Sequence, residues 1–225
     1  MLYPLQLVIH IGEKVMEKYL YLAFVFSVLT VGQSQAQADQ GDWLVRIRAL
    51  DIQPRNQSDP ISALGVPANA ITLNNKWAPE IDLSYFLLKN IALELILTYP
   101  QRHDVSLNGT KIGTAKHLPP TLTVQYHFAP DGKFRPYLGA GINYTHFSDV
   151  NLSVPGVGQL DMGRSSWGGA LQAGLDVEVG KNKFINLDVK KIYIGSDVKL
   201  AATGATISHV RLDPLVLGVG FGWKF

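Results

Sequence analysis

Apolar and polar residues alternate with a period of two over eight separate stretches of the chain. In the first stretch, Trp43, Val45 and Ile47 share one face. Arg46 and Arg48 lie on the other face. Successive side chains of a β-strand point to opposite faces, so this period predicts strands. The eight predicted strands cover residues 43–50, 77–88, 91–99, 121–128, 135–147, 166–179, 184–194 and 215–225.

Short and long connections alternate between these predicted strands. The short turns lie at 88–90, 129–134 and 180–183, and the long loops at 54–75, 100–118, 148–164 and 195–211. A soluble β-sandwich also alternates, but its apolar face points into a core and its other face is solvated. The order of loop lengths decides between the two folds. An even strand count with short periplasmic turns and long extracellular loops is typical of outer-membrane barrels. The sequence therefore predicts an all-β fold, an eight-stranded antiparallel transmembrane β-barrel in the bacterial outer membrane.

The first 38 residues have the features of a secretory signal peptide. An apolar run at 19–32 precedes Ala36-Gln37-Ala38, which fits the small-x-small rule for cleavage. We expect cleavage after Ala38, so that 1–38 is an N-terminal extension plus signal peptide and 39–225 is the barrel. Met16, followed by Glu17 and Lys18, is a more natural start than Met1. The alternative is that this apolar run is a buried helix of a soluble protein.

Composition narrows the choice of function. The net charge of +2 is too small for the basic footprint of a nucleic-acid-binding protein, so no nucleic-acid partner is expected. Cysteine is absent, which excludes disulfides and thiolate chemistry. Charged residues make up 17% of the chain, below the roughly 25% of typical soluble domains. This shortfall is consistent with a surface that faces lipid.

Catalytic motifs are missing from the sequence. The histidines show no metal-binding spacing, and there is no G-x-S-x-G motif. His146 could pair with Ser148 or Ser166, but no third residue that would orient the histidine is evident. We therefore expect no enzymatic activity, no metal and no cofactor.

The last predicted strand ends in an aromatic pattern. Phe221, Trp223 and Phe225 alternate on its apolar face, with a column of glycines on the other. We expect the apolar face to meet lipid, with Trp223 and Phe225 in the periplasmic aromatic girdle. Gly220, Trp223 and Phe225 also resemble the terminal signal that the bacterial barrel-insertion machinery reads.

Four motifs together resemble one family. They are RPYLGAGINYTHF, SWGGALQAGLDVEV, LDVKKIYIGSDV and the ending RLDPLVLGVGFGWKF. In this order they resemble the OmpW family of Gram-negative outer-membrane proteins (the OmpW/AlkL group), and the similarity extends from Gly41 to Phe225. The resemblance implies a barrel with a hydrophobic channel in its extracellular half that admits small hydrophobic molecules. It further implies lateral release into the membrane, because the periplasmic end is plugged.

The inward face of the predicted strands is rich in charge of both signs. An eight-stranded barrel has an interior just wide enough for side chains to fill it. We expect a polar plug of paired charges inside the barrel, or else charges that only stabilise it. The candidates are Arg46, Arg48, Glu80, Asp82, Glu94, Asp188 and Lys190. Lys191 falls on the lipid face by strict alternation, so it either reaches toward lipopolysaccharide phosphates or is turned inward by a bulge.

The long loops contain many apolar residues. Such clusters indicate a binding surface, although loops also pack on one another to form small cores. We name as candidates for a hydrophobic funnel Leu64, Val66, Ile71, Leu107, Ile112, Leu118, Leu152 and Val154. Pro119 and Pro120 cannot donate hydrogen bonds to a strand ladder, so they are candidates for a lateral gap.

Three function classes remain open from the sequence, and the third, a barrel enzyme, is disfavoured by the missing catalytic motifs. The first is passive uptake of small hydrophobic molecules through the funnel, with lateral release into the membrane. The second is a structural or receptor barrel whose loops bind partners without transport. The expected partners are outer-membrane lipid and lipopolysaccharide, the barrel-insertion machinery and small hydrophobic ligands.

Overall fold

The computed structural model describes residues 39–225, and the predicted signal peptide lies outside the described residues. The described part contains fifteen strands and a short 3₁₀ helix at Ser62–Leu64. The strands are β1 (Trp43–Gln53), β2 (Gln57–Ser58), β3 (Ile71–Leu73), β4 (Lys76–Leu88), β5 (Ile91–Thr98), β6 (Gln101–Leu107), β7 (Thr110–Leu118), β8 (Thr121–His127), β9 (Phe134–Val154), β10 (Gly158–Met162), β11 (Ser165–Gly180), β12 (Lys183–Ile192), β13 (Gly195–Leu200), β14 (Thr206–Arg211) and β15 (Leu215–Lys224). Within residues 39–225, no helix is long and apolar enough to cross a membrane.

Eight of these strands close into an antiparallel barrel. Their order is β1, β4, β5, β8, β9, β11, β12 and β15. The barrel closes because β15 pairs with β1 over ten residue pairs, from Leu44 opposite Lys224 to Gln53 opposite Leu215. The predicted fold class is thereby confirmed, including the short turns at one end and the long excursions at the other.

Side chains alternate between the interior and the lipid face as the period of two predicts. Arg46 is fully buried, whereas its neighbour Ile47 is 48% exposed. Exposed aromatic residues mark both ends of the apolar band, as expected for a barrel that spans a membrane. Those at the periplasmic end are Trp43, Tyr126, Phe128, Phe134, Trp223 and Phe225, and those at the extracellular end are Trp77, Tyr99, Trp167 and Tyr193.

The long loops differ from the sequence-based expectation, because they fold into further strands. They supply β2, β3, β6, β7, β10, β13 and β14, and β9 runs on to Val154 instead of ending at residue 147. The β6–β7 hairpin turns at Asn108-Gly109, where both residues have positive φ. Asn-Gly with this backbone is the favoured two-residue hairpin turn, so the signal was present in the sequence.

These additional strands form a second ring on the extracellular side of the barrel. Its order is β2, β14, β13, β10, β9, β7, β6 and β3. Between β2 and β3 side chains complete the ring. Asn56 both donates to and accepts from the backbone of Leu73, at 3.0 and 2.8 Å, and the hydroxyl of Ser58 accepts from the amide of Ile71. The first loop is therefore the seam of this extracellular ring.

The barrel and the extracellular ring meet at a level where nearly all strands are interrupted. The strands break at residues 54–56, 74–75, 99–100, 119–120, 163–164, 193–194 and 212–214. Among the strands of residues 39–225, β9 alone runs through both rings. Proline cannot donate to a ladder, and the breaks contain Pro54, Pro100, Pro119, Pro120 and Pro214.

Lys191 keeps the strict alternation of β12 and lies on the outer face. The β11–β12 register shifts only between Glu178 and Gly180, so no bulge turns Lys191 inward. Its ammonium group donates a hydrogen bond to the backbone carbonyl of Asp213 at the extracellular end of the barrel. The side chain thus reaches along the wall to a backbone acceptor.

Candidate functional site

A buried cluster of charges fills the middle of the barrel, and we call it the charged plug. Arg46 donates two parallel hydrogen bonds to Asp176, from Nε to Oδ1 at 3.0 Å and from Nη2 to Oδ2 at 2.7 Å. Its Nη1 also donates to Asp82 at 3.0 Å and to Ser84 at 2.8 Å. Bidentate arginine–carboxylate pairs are directional and strong, so Arg46 is held rigidly between β4 and β11.

Arg48 lies one step further toward the extracellular end and contacts four carboxylates. It pairs with Glu80 at 3.1 Å, with Glu94 at 2.9 Å and with Asp188 at 2.8 Å, and it also contacts Asp82. Lys190 donates to Glu80 at 2.6 Å and lies 3.2 Å from Asp188. These contacts join strands β1, β4, β5 and β12 across the lumen.

All seven residues named for the plug from the sequence lie in this one network. Their mutual pairing matches the sequence pattern of mixed charges on the inward faces. The network also includes Asp176 and Tyr137, which were not named. The Tyr137 hydroxyl donates to Asp188 at 2.7 Å and accepts from Asn186 at 3.1 Å. The charged plug thus comprises Arg46, Arg48, Glu80, Asp82, Glu94, Asp176, Asp188 and Lys190.

Apolar side chains and a further ion pair, Arg135 with Glu178 at 2.8 Å, lie in the barrel below the plug. Leu44, Phe86, Ala92 and Phe184 form a small buried cluster near the periplasmic end. The guanidinium of Arg135 lies 4.7 Å from the centre of the Phe184 ring. The interior is therefore filled with side chains from the plug to the periplasmic turns.

Above the plug, the extracellular ring encloses a second buried cluster, which is apolar. We call the part that surrounds its central space the apolar vestibule. It is lined by Ile71, Leu73, Val105, Ile112, Leu152, Leu160, Met162, Val198 and Val210. The space has a volume of about 10 Å³, which is at the lower limit for one water molecule, roughly 10–15 Å³. The vestibule is therefore closed by its own side chains.

Most of the funnel candidates lie in or against this cluster. Ile71 and Leu152 are buried within it. Val66, Leu107, Ile112 and Val154 are partly buried and pack against it.

Two funnel candidates named from the sequence, Leu64 and Leu118, are wrong, because neither lies in the buried apolar cluster. Leu64 ends the 3₁₀ helix of the first loop and is 44% exposed. Leu118 is the last residue of β7, where Ala115 and His117 point inward. Alternation therefore turns Leu118 to the outer face, opposite the exposed His146 of β9.

Pro119 and Pro120 lie in a one-sided interruption of the wall. The β5–β8 ladder ends at the pair Ile96–Thr121, and the β6–β7 ladder resumes only at Gln101–His117. On the other side the wall is continuous, because the Tyr144 amide of β9 donates to the Pro120 carbonyl at 3.1 Å. The break between β5 and β8 lies beside Tyr99, at the extracellular edge of the apolar band.

Two histidines lie stacked just above this break. The rings of His103 and His117 are 4.9 Å apart and nearly parallel, and both residues are buried. Burial lowers the pKa of His117 to about 3, and the neighbouring His103 lowers it as well. Burial also lowers the pKa of His103, against the effect of its hydrogen bond to the Asn74 carbonyl. Both rings are neutral at neutral pH.

Acid is expected to destabilise the extracellular ring through His117. Its folded pKa of about 3 lies below the unfolded value of about 6.5, so the unfolded state binds more protons between these pH values. The stabilisation is complete above pH ~6.5 and falls by up to ~1.4 kcal/mol per pH unit toward pH ~3. Amide hydrogen exchange of β6 and β7 measures this loss. His117→Phe should reduce the pH dependence, and an unchanged dependence would contradict the assignment.

The possible Ser/His pairs are not assembled. Ser166 accepts a hydrogen bond from the Gly195 amide and shares the inner face with Thr145, whereas His146 lies on the outer face. Among residues 39–225, no hydrogen bond joins His146 to Ser148 or Ser166. The described residues also contain no group of three or more histidines and carboxylates placed to hold a metal ion.

The fold and the site define a class of protein: an eight-stranded outer-membrane barrel with a charged interior and an apolar extracellular ring. The model of the OmpW family matches residues 39–225. The chain belongs to the OmpW family.

Known relatives agree with this assignment. Outer membrane protein W of Escherichia coli is 31% identical over 217 residues, covering 93% of this chain and all of that protein. The dibenzothiophene metabolism operon protein PahQ of Pseudomonas aeruginosa is 25% identical, covering 85% of this chain and 92% of that protein. The crystal structure of OprG from Pseudomonas aeruginosa superimposes with a TM-score of 0.71 at 27% identity, covering 84% of this chain and 99% of OprG.

Proposed function

We propose that this barrel is a passive conduit for small hydrophobic molecules. A solute enters the apolar vestibule from outside, passes to the break between β5 and β8, and leaves sideways into the outer leaflet. The observation that carries this proposal is the stacking of an apolar chamber directly on a charged plug, with a wall break at their junction.

The energetics favour a sideways route over an axial one. An apolar solute gains about 25 cal/mol for each Å² of surface that it buries among the vestibule side chains. Continuing down the axis would require it to separate the paired charges around Arg46 and Arg48, which are fully buried. Unpairing buried charges costs several kcal/mol. The lipid beside Tyr99 offers an apolar environment without that cost.

Entry requires the vestibule to open. We take the seam between β2 and β3 as the part of the extracellular ring that opens, because side chains of Asn56 and Ser58 replace a regular backbone ladder there. We place the entrance at this seam. The name of the relative PahQ, which refers to dibenzothiophene metabolism, supports an aromatic hydrocarbon-like solute.

A structural or receptor barrel is the second candidate function. The observation in its favour is the closed vestibule, whose side chains leave a space of only about 10 Å³. In that case the apolar cluster would serve as the core of the extracellular ring.

Uptake of radiolabelled naphthalene distinguishes these functions. Cells that lack the barrel should take up naphthalene several-fold more slowly than cells that contain it. Pro119→Val/Pro120→Val restores two amide donors at the break, so it should close the ladder and lower uptake toward that of the barrel-free cells. Pro60→Ala, at an exposed position in the first loop, is the control. Equal uptake with and without the barrel would support the structural or receptor function.

We propose in addition that the chain end binds the barrel-insertion machinery. Phe225 is 74% exposed, and its backbone pairs with Trp43 at 2.8 and 3.1 Å. Trp223 lies on the same outer face, whereas Gly220 points inward, where a Cβ would overlap the carbonyl oxygen of Ile47. The aromatic face is thus available to a partner before lipid covers it. Lipopolysaccharide and lipid then surround the assembled wall.

Deletion of Phe225 should slow insertion several-fold, with precursor accumulating in the periplasm. The amount of heat-modifiable barrel in the outer membrane measures the effect. Phe225→Tyr, which keeps the aromatic ring, should insert like the wild type. Normal insertion of the deletion variant would remove the role proposed for this residue.

A further inference from the structure

Between the apolar vestibule and the break in the wall lie buried polar groups that belong to neither the charged plug nor the apolar cluster. Gln101 and His103 point inward from β6, and both residues are fully buried. They lie directly after the break at Tyr99 and Pro100. A solute on the proposed route passes this point between the vestibule and the lipid.

The side-chain oxygen of Gln101 is a buried acceptor without a partner. Its Nε2 donates to the Thr98 hydroxyl at 3.0 Å and to the Tyr99 carbonyl at 2.8 Å. A carbonyl can only accept, so the nitrogen must face Tyr99 and the amide cannot be flipped. Oε1 is then left buried with no hydrogen bond.

The ring of His103 presents a second acceptor. Its Nδ1 lies 2.9 Å from the Asn74 carbonyl, so Nδ1 must bear the hydrogen. Burial lowers the pKa of His103, which keeps the ring neutral. In this tautomer Nε2 has a lone pair, and that nitrogen is buried without a partner.

Two orphaned acceptors on neighbouring inward positions of one strand define a site for a donor. Leaving buried acceptors unpaired is unfavourable, and native proteins rarely do so. We propose that the hydroxyl group of small amphiphilic solutes, such as alcohols and phenols, shares its single hydrogen between Gln101 Oε1 and His103 Nε2 in a three-centre hydrogen bond, while the vestibule holds the apolar part of the solute. This inference rests on the proposed conduit and names its preferred solute class. Pure hydrocarbons lack the donor and gain only from apolar contact.

Paired uptake of 1-naphthol and naphthalene tests this preference. The two solutes share one ring system and differ by a hydroxyl group. The wild type should favour 1-naphthol, measured as the ratio of the barrel-dependent uptake rates. Gln101→Met and His103→Phe remove one acceptor each at similar volume, together with the donor contacts to Tyr99 and Asn74, and each should lower that ratio by at most about two- to tenfold, the range of one hydrogen bond. Barrel-dependent naphthalene uptake should not fall in either variant.

His209→Phe is the matched control. His209 lies in the extracellular ring, but its Nδ1 already pairs with Asp197 at 2.8 Å. The ratio should therefore be unchanged in this variant. If both Gln101→Met and His103→Phe also leave the ratio unchanged, water alone satisfies the acceptors and the solute site is wrong.

A binding measurement separates this site from transport. In the purified barrel labelled with ¹⁵N-histidine, 1-naphthol should shift the Nε2 signal of His103 and naphthalene should not. His103→Phe identifies that signal by its loss. Such a shift without any barrel-dependent uptake would preserve the site and refute the conduit. Absence of the shift would overturn the site even if both solutes are transported.

Discussion

Replacing Arg48 with methionine is expected to remove most of the folded barrel from the outer membrane. Arg48 is buried against Glu80, Asp82, Glu94 and Asp188. Removing one partner of a buried ion pair costs about 3–5 kcal/mol, because the remaining charges are left uncompensated. Here five carboxylates of the plug would face only two cations. The heat-modifiable band in outer-membrane fractions and the urea midpoint of the purified barrel measure the loss.

A surface arginine provides the comparison. Arg164 pairs with Asp161 at 3.1 Å, but its side chain is 58% exposed. Exposed pairs contribute about 0–1 kcal/mol, so Arg164→Met should leave the barrel content unchanged. Adding Asp82→Asn to Arg48→Met removes one of the excess carboxylate charges of the plug and should recover part of the stability. A normal urea midpoint for Arg48→Met alone would show that the plug does not stabilise the barrel.

Val105→Asp should abolish most barrel-dependent uptake of naphthalene. Val105 is 1% exposed and lines the central space of the vestibule. A carboxylate there must either stay hydrated or lose its hydration when solute enters, and the second alternative costs several kcal/mol. We therefore expect at least a tenfold loss of uptake, measured at equal barrel content.

Val105→Ala is expected to change uptake in the opposite direction from Val105→Asp. It removes two methyl groups from the lining and enlarges a space that now holds about 10 Å³. Uptake should rise, because less side-chain movement is needed to admit a solute. Thr110→Asp places the same charge at the exposed β6–β7 turn and should change nothing. Lower uptake by Val105→Ala would contradict a route through the vestibule.

The sequence predicted the barrel well because one face of each strand meets lipid and the other meets a charged lumen. That contrast makes the period of two visible and assigns Arg46 and Glu80 to the interior without coordinates. Partners were harder to predict. Asp176 is 130 residues from Arg46 in the chain, and only closure of the barrel brings them together.

The extracellular ring was missed for a physical reason as well. Its strands are short, and prolines interrupt the alternation at the junction with the barrel. Once the alternation is broken, the facing of a residue cannot be predicted across the break, so Leu118 was named a funnel candidate from its apolar character alone. The orphaned acceptors of Gln101 and His103 depend on hydrogen-bond distances that no sequence pattern contains.

Among residues 39–225, β9 alone runs unbroken through both rings, so it is the natural axis for a movement of one ring relative to the other. β9 belongs to both rings and pairs with β8 and β11 below the junction and with β7 and β10 above it. Within residues 39–225, every other connection between the rings is a linker of two or three residues outside the strands. We therefore expect any tilt of the extracellular ring relative to the barrel to take place about β9, which would move the far side of the ring most. That far side is the first loop, so we expect the largest displacement at the seam between β2 and β3.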